Sequence, residues 1–380
     1  MKYVLVIYEG AADLPSDELE GSTPLQLARN IHATALVRRG VGGYLLWPAD
    51  HAGTTAPEMT GIVLGIASEE AKTMVRGPVE GAPGNGYCYR GNFVTCDGSE
   101  VRESRVTGLS LDETTWLVDS LADVAKSHGA TITITGRGRV AVRFDKAETA
   151  SDAGEFPAPG VRLPEDGDTL SARAKFMRAA AECLARQSIN DVRVDLGENP
   201  ANALWLWAGG PSAKISRPFI GAPLISAMVT NSPLGRGIGT LCRMTVKHLG
   251  DVWADSVQPE LIGVDELADV MARHEITVVY VEAPLEGGRF GEGVEKVKAL
   301  DRLDIHVLSR ITQAVECIPD TRIMLVAMPE EGQLMEQIPV ALAGNNVSPD
   351  KVGRWDEVSC HGGGLGRLPA HRCISKLLGD

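Results

Sequence analysis

The 380-residue sequence lacks the features that mark membrane, disulfide-rich and nucleic-acid-binding proteins. No apolar run approaches the roughly 20 residues that a membrane-spanning helix needs, and the opening MKYVLVIYEG is too short for a signal peptide. The seven cysteines include no CxxC pair, which favours reduced thiols in a cytoplasm. Because 50 acidic residues outnumber 37 basic ones, a nucleic-acid or membrane partner is disfavoured. The composition predicts a cytoplasmic globular protein.

Two simple ligand-binding motifs are also missing. The eight histidines form no pair at i, i+3 or i+4, which excludes the simplest helical metal site. The glycines of PLGRGIGTL, residues 233–241, do not follow a strand as a dinucleotide fingerprint requires, so we expect a tight turn before a helix. The segment HGGGLGRLPAH near the C-terminus either binds an anion through its backbone N–H groups or forms a surface loop.

Short β-branched runs alternate with helical stretches along much of the chain. The runs include YVLVI, GYLLW, TVVYV and RIMLVAM, and a helix is expected from Thr23 to Arg39. This alternation predicts an α/β fold with a mostly parallel sheet between helices, and active sites in such sheets lie at the carboxyl ends of the strands. Residues 78–195 look like an inserted smaller α+β domain, which leaves 1–77 plus 196–380 as the core domain.

Several arginines lie beside glycines in the insert or at its entry. Arg76, Arg90 and Arg139 are of this kind, and guanidinium groups at glycine turns suit bidentate binding of phosphate or carboxylate. The alternative is that each is a solvated surface residue. Asn92, between Gly91 and Phe93, is either a polar contact at the same cleft or the end of a turn.

Two hydroxyls precede a predicted helix in the segment ADHAGTTAPEMTG. Thr54 and Thr55 are typical helix-capping residues. A helix N-terminus also favours anions, so a nucleophile or a phosphate contact is the alternative for either threonine.

Taken together, the motifs resemble the archaeal-type cofactor-independent phosphoglycerate mutases, members of the alkaline phosphatase superfamily. The resemblance covers nearly the whole chain and rests on segments that match in order and spacing: MKYVLVIYEGAADLP, TPLQLARN, VRGPVEG, YRGNFVTCDG, NPANALWLWAGG, GAPLISAMVTNSPLGRGIGTL, VYVEAPLEGGRFGEGVEKVKALDRLD and SCHGGGLGRLPAHRCISKLL. It implies an alkaline-phosphatase-like core with an inserted substrate domain. It also implies two manganese or zinc ions held by Asp and His, a serine nucleophile, and substrate-binding arginines in the VRGPVEG and YRGNFVTCDG segments.

The sequence departs from that family at the positions that the resemblance assigns to the metals. Glu9 stands where the first metal-binding Asp is expected, and Leu285 and Arg289 stand at the Asp and His that follow the EAP segment. The segment VAMPEEG has neither the expected Asp nor His. An ungapped match puts Ala56 at the nucleophilic serine, and a small shift gives Thr55 or Thr54. We therefore predict no metal site and no cofactor.

The function expected from these departures is a metal-independent enzyme. It would be an isomerase, lyase or transferase acting on a small phosphorylated or carboxylated metabolite, with Glu9, Glu282 or Glu286 as acid or base. Arg289 would neutralise the anion in place of the metals. One alternative is a non-catalytic descendant that binds a metabolite or a protein partner. The partners expected are a small anionic metabolite and either a protein partner or further copies of the chain in a homo-oligomer. The other is a divergent metal-dependent mutase.

Overall fold

The computed structural model describes residues 1–47, 55–81, 84–145, 153–165, 171–215, 219, 224–250, 261–285, 293–330, 333, 335 and 337–380. The chain divides into two compact units, residues 1–71 plus 215–380 and residues 72–214. Within the described ranges, no helix combines the length and apolar composition needed to cross a bilayer.

The described residues form thirteen strands and fifteen α-helices. The strands are β1 Lys2–Ala12, β2 Gly40–Leu46, β3 Tyr87–Asp97, β4 Glu100–Glu103, β5 Ala130–Gly136, β6 Arg139–Phe144, β7 Ala203–Pro211, β8 Ser226–Thr230, β9 Thr245–His248, β10 Ile276–Val281, β11 Thr321–Pro329, β12 Gln337–Gly344 and β13 Gly366–Pro369. The helices are α1 Pro24–Leu27, α2 Ile31–Arg38, α3 Ala56–Val63, α4 Ser68–Ala71, α5 Arg76–Glu80, α6 Leu111–Ser120, α7 Ala122–Ser127, α8 Ala172–Leu184, α9 Ser188–Asp195, α10 Pro233–Leu241, α11 Val264–Arg273, α12 Gly293–Leu303, α13 Ser309–Glu316, α14 Glu357–His361 and α15 Cys373–Leu378.

The first unit is built on an eight-stranded sheet in the order β13-β2-β12-β11-β1-β10-β8-β9. All neighbouring pairs are parallel except β11 with β12 and β12 with β2. The central strands β1 and β10 are mostly apolar and almost entirely buried, as expected for strands covered on both faces. This confirms the predicted fold class and brings the carboxyl ends of β1, β8, β10 and β11 to one edge.

The single helix expected from Thr23 to Arg39 is instead two helices, α1 and α2. Between them Ala28 is extended, with ψ of 145°, and Asn30 is left-handed, with φ of 46°, so the helical path is interrupted. The carboxylate of Asp304 accepts hydrogen bonds from the N–H groups of His32 and Ala33, both at 2.9 Å. These bonds satisfy N–H groups in the first turn of α2, which have no partner within the helix.

The second unit contains a five-stranded sheet in which β4, β3, β6 and β5 are neighbours in that order and β7 also pairs with β3. The boundaries of this unit, at 72 and 214, differ from the predicted 78 and 195. The difference arises because β7 pairs antiparallel with β3, from Tyr87 opposite Pro211 to Val94 opposite Ala203. The segment NPANALWLWAGG, expected in the core domain, therefore belongs to the inserted unit.

The glycine-containing segment PLGRGIGTL forms helix α10 itself, and the predicted turn before a helix is wrong. Ser232 caps the helix by accepting a hydrogen bond from Gly235 N at 3.1 Å, and Pro233 occupies the first turn. A side chain at Gly235 would lie 2.5 Å from Thr230 Oγ1, so glycine here allows α10 to pack closely on β8.

Candidate functional site

Glu9 lies near the carboxyl end of β1, at the predicted edge of the first unit. The hydroxyl of Tyr280, on the neighbouring strand β10, donates a hydrogen bond to Glu9 Oε2. Both residues are buried. The backbone of Tyr280 is held in turn by Thr230, whose hydroxyl donates to the Tyr280 carbonyl oxygen at 2.7 Å. The carboxylate thus has a donor from the protein itself.

Leu285 packs against the residue that follows Glu9. Gly10 has φ of 73°, and a Cβ built on it would lie 2.5 Å from Leu285 Cα. The Leu285 side chain is only 3% exposed. The position that the resemblance assigns to a metal-binding Asp is therefore apolar, buried and in close contact with the β1 backbone.

Of the other predicted catalytic residues, one is buried, one caps a helix and two lie outside the described residues. Glu282 directly follows β10 and is buried. Thr55 is the N-cap of α3, where its side-chain oxygen accepts a hydrogen bond from Glu58 N at 3.4 Å. This hydrogen bond fits the helix-capping role, which was one of the two interpretations of Thr55 from the sequence. Thr54, Glu286 and Arg289 lie outside the described residues.

A polar network that the sequence analysis missed begins directly after β1. Lys296 Nζ lies 2.5 Å from Asp13 Oδ2, and Gln333 Nε2 donates to Asp13 Oδ1, also at 2.5 Å. Glu357 Oε1 accepts from Asp13 N at 3.2 Å, and its other oxygen accepts from the Thr23 hydroxyl at 2.6 Å. Asp13 could have been recognised from its position at the carboxyl end of a parallel strand, but its partners come from distant segments.

The two acids of this network have opposite pKa shifts. Burial raises the pKa of the Asp13 carboxyl, but the hydrogen bond and charge of Lys296, with those from Gln333 and Leu14 N, outweigh burial and lower it below its usual value. Burial raises the pKa of Glu357, and the hydrogen bond from Thr23 offsets this only in part.

Two of the predicted substrate-binding arginines meet in the second unit. Arg76 and Arg90 both pair with Glu80 Oε1, at 3.2 and 2.8 Å, and the three side chains are almost fully buried. The Arg90 guanidinium also lies over the indole ring of Trp207, with Cζ 5.0 Å from the ring centroid. The structure therefore brings these arginines together around one carboxylate instead of leaving them on the surface.

Asn92 and Arg139 extend the same cluster along the sheet. Arg90 and Asn92 are two residues apart on β3 and so share a face, and Arg139 on β6 is directly opposite Asn92. Both Asn92 and Arg139 are buried, and Asn92 Nδ2 donates to the Ser104 carbonyl oxygen at 3.3 Å. Four of the predicted binding residues, Arg76, Arg90, Asn92 and Arg139, thus belong to one buried polar region of the second unit.

The backbone N–H groups of the C-terminal glycine segment are used in part by the protein's own carboxylate. Asp350 Oδ2 accepts hydrogen bonds from Gly364 N at 2.6 Å and from Gly42 N at 3.0 Å. These contacts explain how the loop 362–366 is held beside β2, and they make a structural role the better interpretation of the HGGG sequence.

The described residues near Glu9 do not fit a pair of divalent ions. Such an ion needs three or four Asp, His, Glu or Cys ligands. In the ranges that the structure describes, no group of three such side chains is placed to hold a metal. The Glu9 carboxylate accepts a hydrogen bond from Tyr280, and Leu285 supplies no ligand atom.

Comparisons with known proteins find similarity along the whole length of the chain. No family model matches the chain. A "2,3-bisphosphoglycerate-independent phosphoglycerate mutase 2" of Methanothermobacter thermautotrophicus is 26% identical over 404 residues, covering 100% of this chain and 97% of that protein. A "2,3-bisphosphoglycerate-independent phosphoglycerate mutase" of Methanothrix thermoacetophila is 24% identical, with 100% of both chains covered. The chain is a relative of the archaeal cofactor-independent phosphoglycerate mutases. The resemblance seen in its motifs is thereby confirmed.

Solved structures show the fold of this mutase family along nearly the whole chain. The PH0037 protein from Pyrococcus horikoshii superimposes with a TM-score of 0.71 at 20% identity, covering 99% of this chain and 96% of that one. The cofactor-independent phosphoglycerate mutase from Thermoplasma acidophilum gives a TM-score of 0.55 at 19% identity, covering 100% and 99%. The mutase-like architecture is therefore kept along nearly the whole chain.

Proposed function

We propose that this mutase relative works without the two-metal centre of its family and binds a small phosphorylated or carboxylated metabolite as a metal-independent enzyme. The observation that carries the proposal is the contact between Gly10 and Leu285, because an apolar side chain is buried where a ligand carboxylate would be needed. Metals lower the pKa of a nucleophile and neutralise a transferring phosphoryl group. Without them, phosphoryl transfer of the family type would lose several kcal/mol of stabilisation.

Binding of an anion is supported by the buried cluster in the second unit. Guanidinium groups bind phosphate or carboxylate without a metal, and Arg76, Arg90 and Arg139 are collected there on and beside one sheet face. Asn92 Oδ1 is buried and accepts no hydrogen bond from the described residues. It would be satisfied by a hydroxyl group, so the ligand class that fits best is a hydroxylated organic phosphate or carboxylate.

The acid or base of such an enzyme would be Glu9 or Glu282, with Glu286 as a further candidate from the sequence. Glu9 already shares a hydrogen bond with the Tyr280 hydroxyl, an arrangement that can hold and exchange a proton. In a non-catalytic descendant, the same anion would bind without being converted.

An ordinary phosphoglycerate mutase is the second candidate, because the relatives carry that name and match the chain from end to end. Elemental analysis of the dialysed protein and a coupled enolase assay with added manganese separate the two. We expect far less than one ion per chain and no useful interconversion of 3-phosphoglycerate and 2-phosphoglycerate. Two tightly held ions together with turnover of about 1 to 10³ per second would establish the mutase instead.

The anion itself is sought by a thermal-shift screen of phosphorylated and carboxylated metabolites, followed by calorimetric titration of the best one. Arg90→Ala should weaken that binding by about 10- to 150-fold, the loss expected for one charge-assisted hydrogen bond. Incubation with the selected compound, followed by ³¹P or ¹³C NMR, distinguishes an enzyme from a binding protein. If no anion stabilises the wild type, the anion-binding proposal is wrong.

A further inference from the structure

The outer edge of β5 differs from the other sheet edges that the structure describes. Strand β5, Ala130–Gly136 with the sequence ATITITG, ends the order β4-β3-β6-β5, and β6 is its one partner among the described strands. It has no charged residue and no proline, and five of its seven residues, 131–135, are β-branched. An edge of this kind is a template for pairing with another strand.

The remaining edges have the features that natural proteins use to prevent such pairing. In the eight-stranded sheet, β9 and β13 have only four residues each, and they contain Lys247 and Arg367 with Pro369, respectively. In the second unit, β4 contains charged residues, and Arg162 forms an isolated antiparallel β-bridge with Glu100 at its edge. Strand β7 is covered by 153–156, where Gly209 N donates to the Ala153 carbonyl oxygen at 2.7 Å.

The hydrogen-bond pattern identifies which groups of β5 point outward. Asp145 N donates to the Gly129 carbonyl oxygen at 3.1 Å, so the pair Ala130 and Phe144 is a non-hydrogen-bonded pair of the antiparallel ladder. The alternation then directs the N–H and C=O groups of Ala130, Ile132 and Ile134 away from β6. The ladder is regular from 130 to 134 and shifts only after Ile134.

We propose that two copies of this chain associate by pairing their β5 strands antiparallel about a two-fold axis at Ile132. In this register Ile132 pairs with Ile132 of the partner subunit, and Ala130 pairs with Ile134 of the partner subunit, which uses all three outward residues of the regular segment. Thr131 then lies directly opposite Thr133 of the partner subunit, and threonine pairs are favourable cross-strand neighbours.

A second copy suits this edge better than a charged peptide. Ile132 has a threonine on each side, Thr131 and Thr133, so the strand presents the same residue types in both directions from Ile132. A two-fold contact requires such self-complementarity. Because the chain carries a net charge of −13, an uncharged edge is also where two copies meet with the least repulsion.

Charge substitutions at the two exposed threonines test the register directly. In T131K/T133K the two-fold axis brings lysine opposite lysine twice, so we expect a monomer. In T131K/T133E it brings lysine opposite glutamate twice, so we expect a dimer. Sedimentation velocity of the full chain should give a dissociation constant for the first variant at least about tenfold above that of the second. The matched control T245K, at an exposed threonine of edge strand β9, should remain as associated as wild type.

Hydrogen exchange supplies an independent readout. The amides of Ala130, Ile132 and Ile134 should be protected in wild type and in T131K/T133E and should exchange rapidly in T131K/T133K, while far-ultraviolet circular dichroism shows all three folded. The proposal is overturned if wild type sediments as a monomer at every concentration reached, if the two double variants associate equally, or if these three amides exchange rapidly in the wild-type dimer.

Discussion

The ammonium nitrogen of Lys296 lies 2.5 Å from the carboxylate oxygen Oδ2 of Asp13, in a pair whose side chains are 3% and 24% exposed. The contact joins the first turns of α12 to the carboxyl end of β1. It lies at the carboxyl edge of the parallel strands, where open α/β sheets usually bind their ligands, and the lysine and the carboxylate satisfy each other's charge. Its main expected role is to hold this edge together.

Replacing Lys296 with methionine should leave the Asp13 carboxylate without its cation. We expect the free energy of unfolding to fall by about 2 to 3 kcal/mol, less than the roughly 3–5 kcal/mol of a fully buried pair because Asp13 reaches solvent. Urea denaturation measures the loss. The double variant K296M/D13N should recover part of it, since the unpaired charge is then gone; equal stability of K296M and wild type would contradict this account.

The network also predicts the pH dependence of stability. The pKa of Asp13 is lowered in the folded protein, so its contribution is fully present above its unfolded value of about 3.9 and is lost as the pH falls through the folded value. The pKa of Glu357 is raised, so the folded state binds its proton more readily and stability rises as the pH falls through that raised value.

Acid titrations of the free energy of unfolding separate these two groups. Asp13→Asn should remove part of the loss of stability at low pH, and Glu357→Gln should remove part of the gain that precedes it. The two variants should therefore change the slope against pH in opposite directions. Slopes that change in the same direction would show that one of the two assignments is wrong.

Substitution of Leu285 tests whether the first unit can accept a metal ligand. Leu285→Asp and Leu285→Asn should each destabilise the protein by about 2 to 5 kcal/mol, because each replaces a buried apolar side chain with a polar one. Added manganese should not favour the aspartate variant over its isosteric control. A manganese-dependent rise in melting temperature confined to L285D would indicate that the remaining ligands are present.

Glu80→Gln should reveal the anion affinity of the arginine cluster. Removal of the carboxylate leaves Arg76 and Arg90 without their shared partner and should cost about 3 to 5 kcal/mol. Inorganic phosphate should then raise the melting temperature of E80Q more than that of wild type, since a bound anion replaces the lost charge. As a control, E198Q removes an exposed partner of Arg193 and should change stability by less than about 1 kcal/mol. Equal phosphate shifts in E80Q and wild type would argue against anion binding by this cluster.

The cysteines should differ sharply in reactivity. Burial raises the pKa of Cys88 and Cys96 to about 11 and that of Cys242, Cys360 and Cys373 to about 12, whereas Cys317 is exposed. Cys317 should therefore be alkylated first near pH 8, and Cys317→Ser should abolish the rapid phase. Rapid labelling that persists in C317S would show that a buried thiol becomes accessible.

The alternation of β-branched and helical segments was sufficient to predict the mostly parallel sheet, because strands buried on both faces must be continuously apolar. Local rules failed where one residue or one distant contact decides the conformation. The extended Ala28 and the left-handed Asn30 interrupt the expected helix. Ser232 and Pro233 make a helix of a segment whose glycines suggested a turn.

Residue identity alone determined that Glu9, Leu285 and Arg289 differ from the ligands expected at those positions, and that Arg76, Arg90, Asn92 and Arg139 are candidates to bind an anion. Only the tertiary structure decided what these residues contact. It paired Tyr280 with Glu9, packed Leu285 on Gly10, placed two arginines around Glu80 and joined Lys296 to Asp13 across 283 positions of the chain. Such contacts depend on strand order and register, which bring distant segments together and which no local sequence pattern encodes.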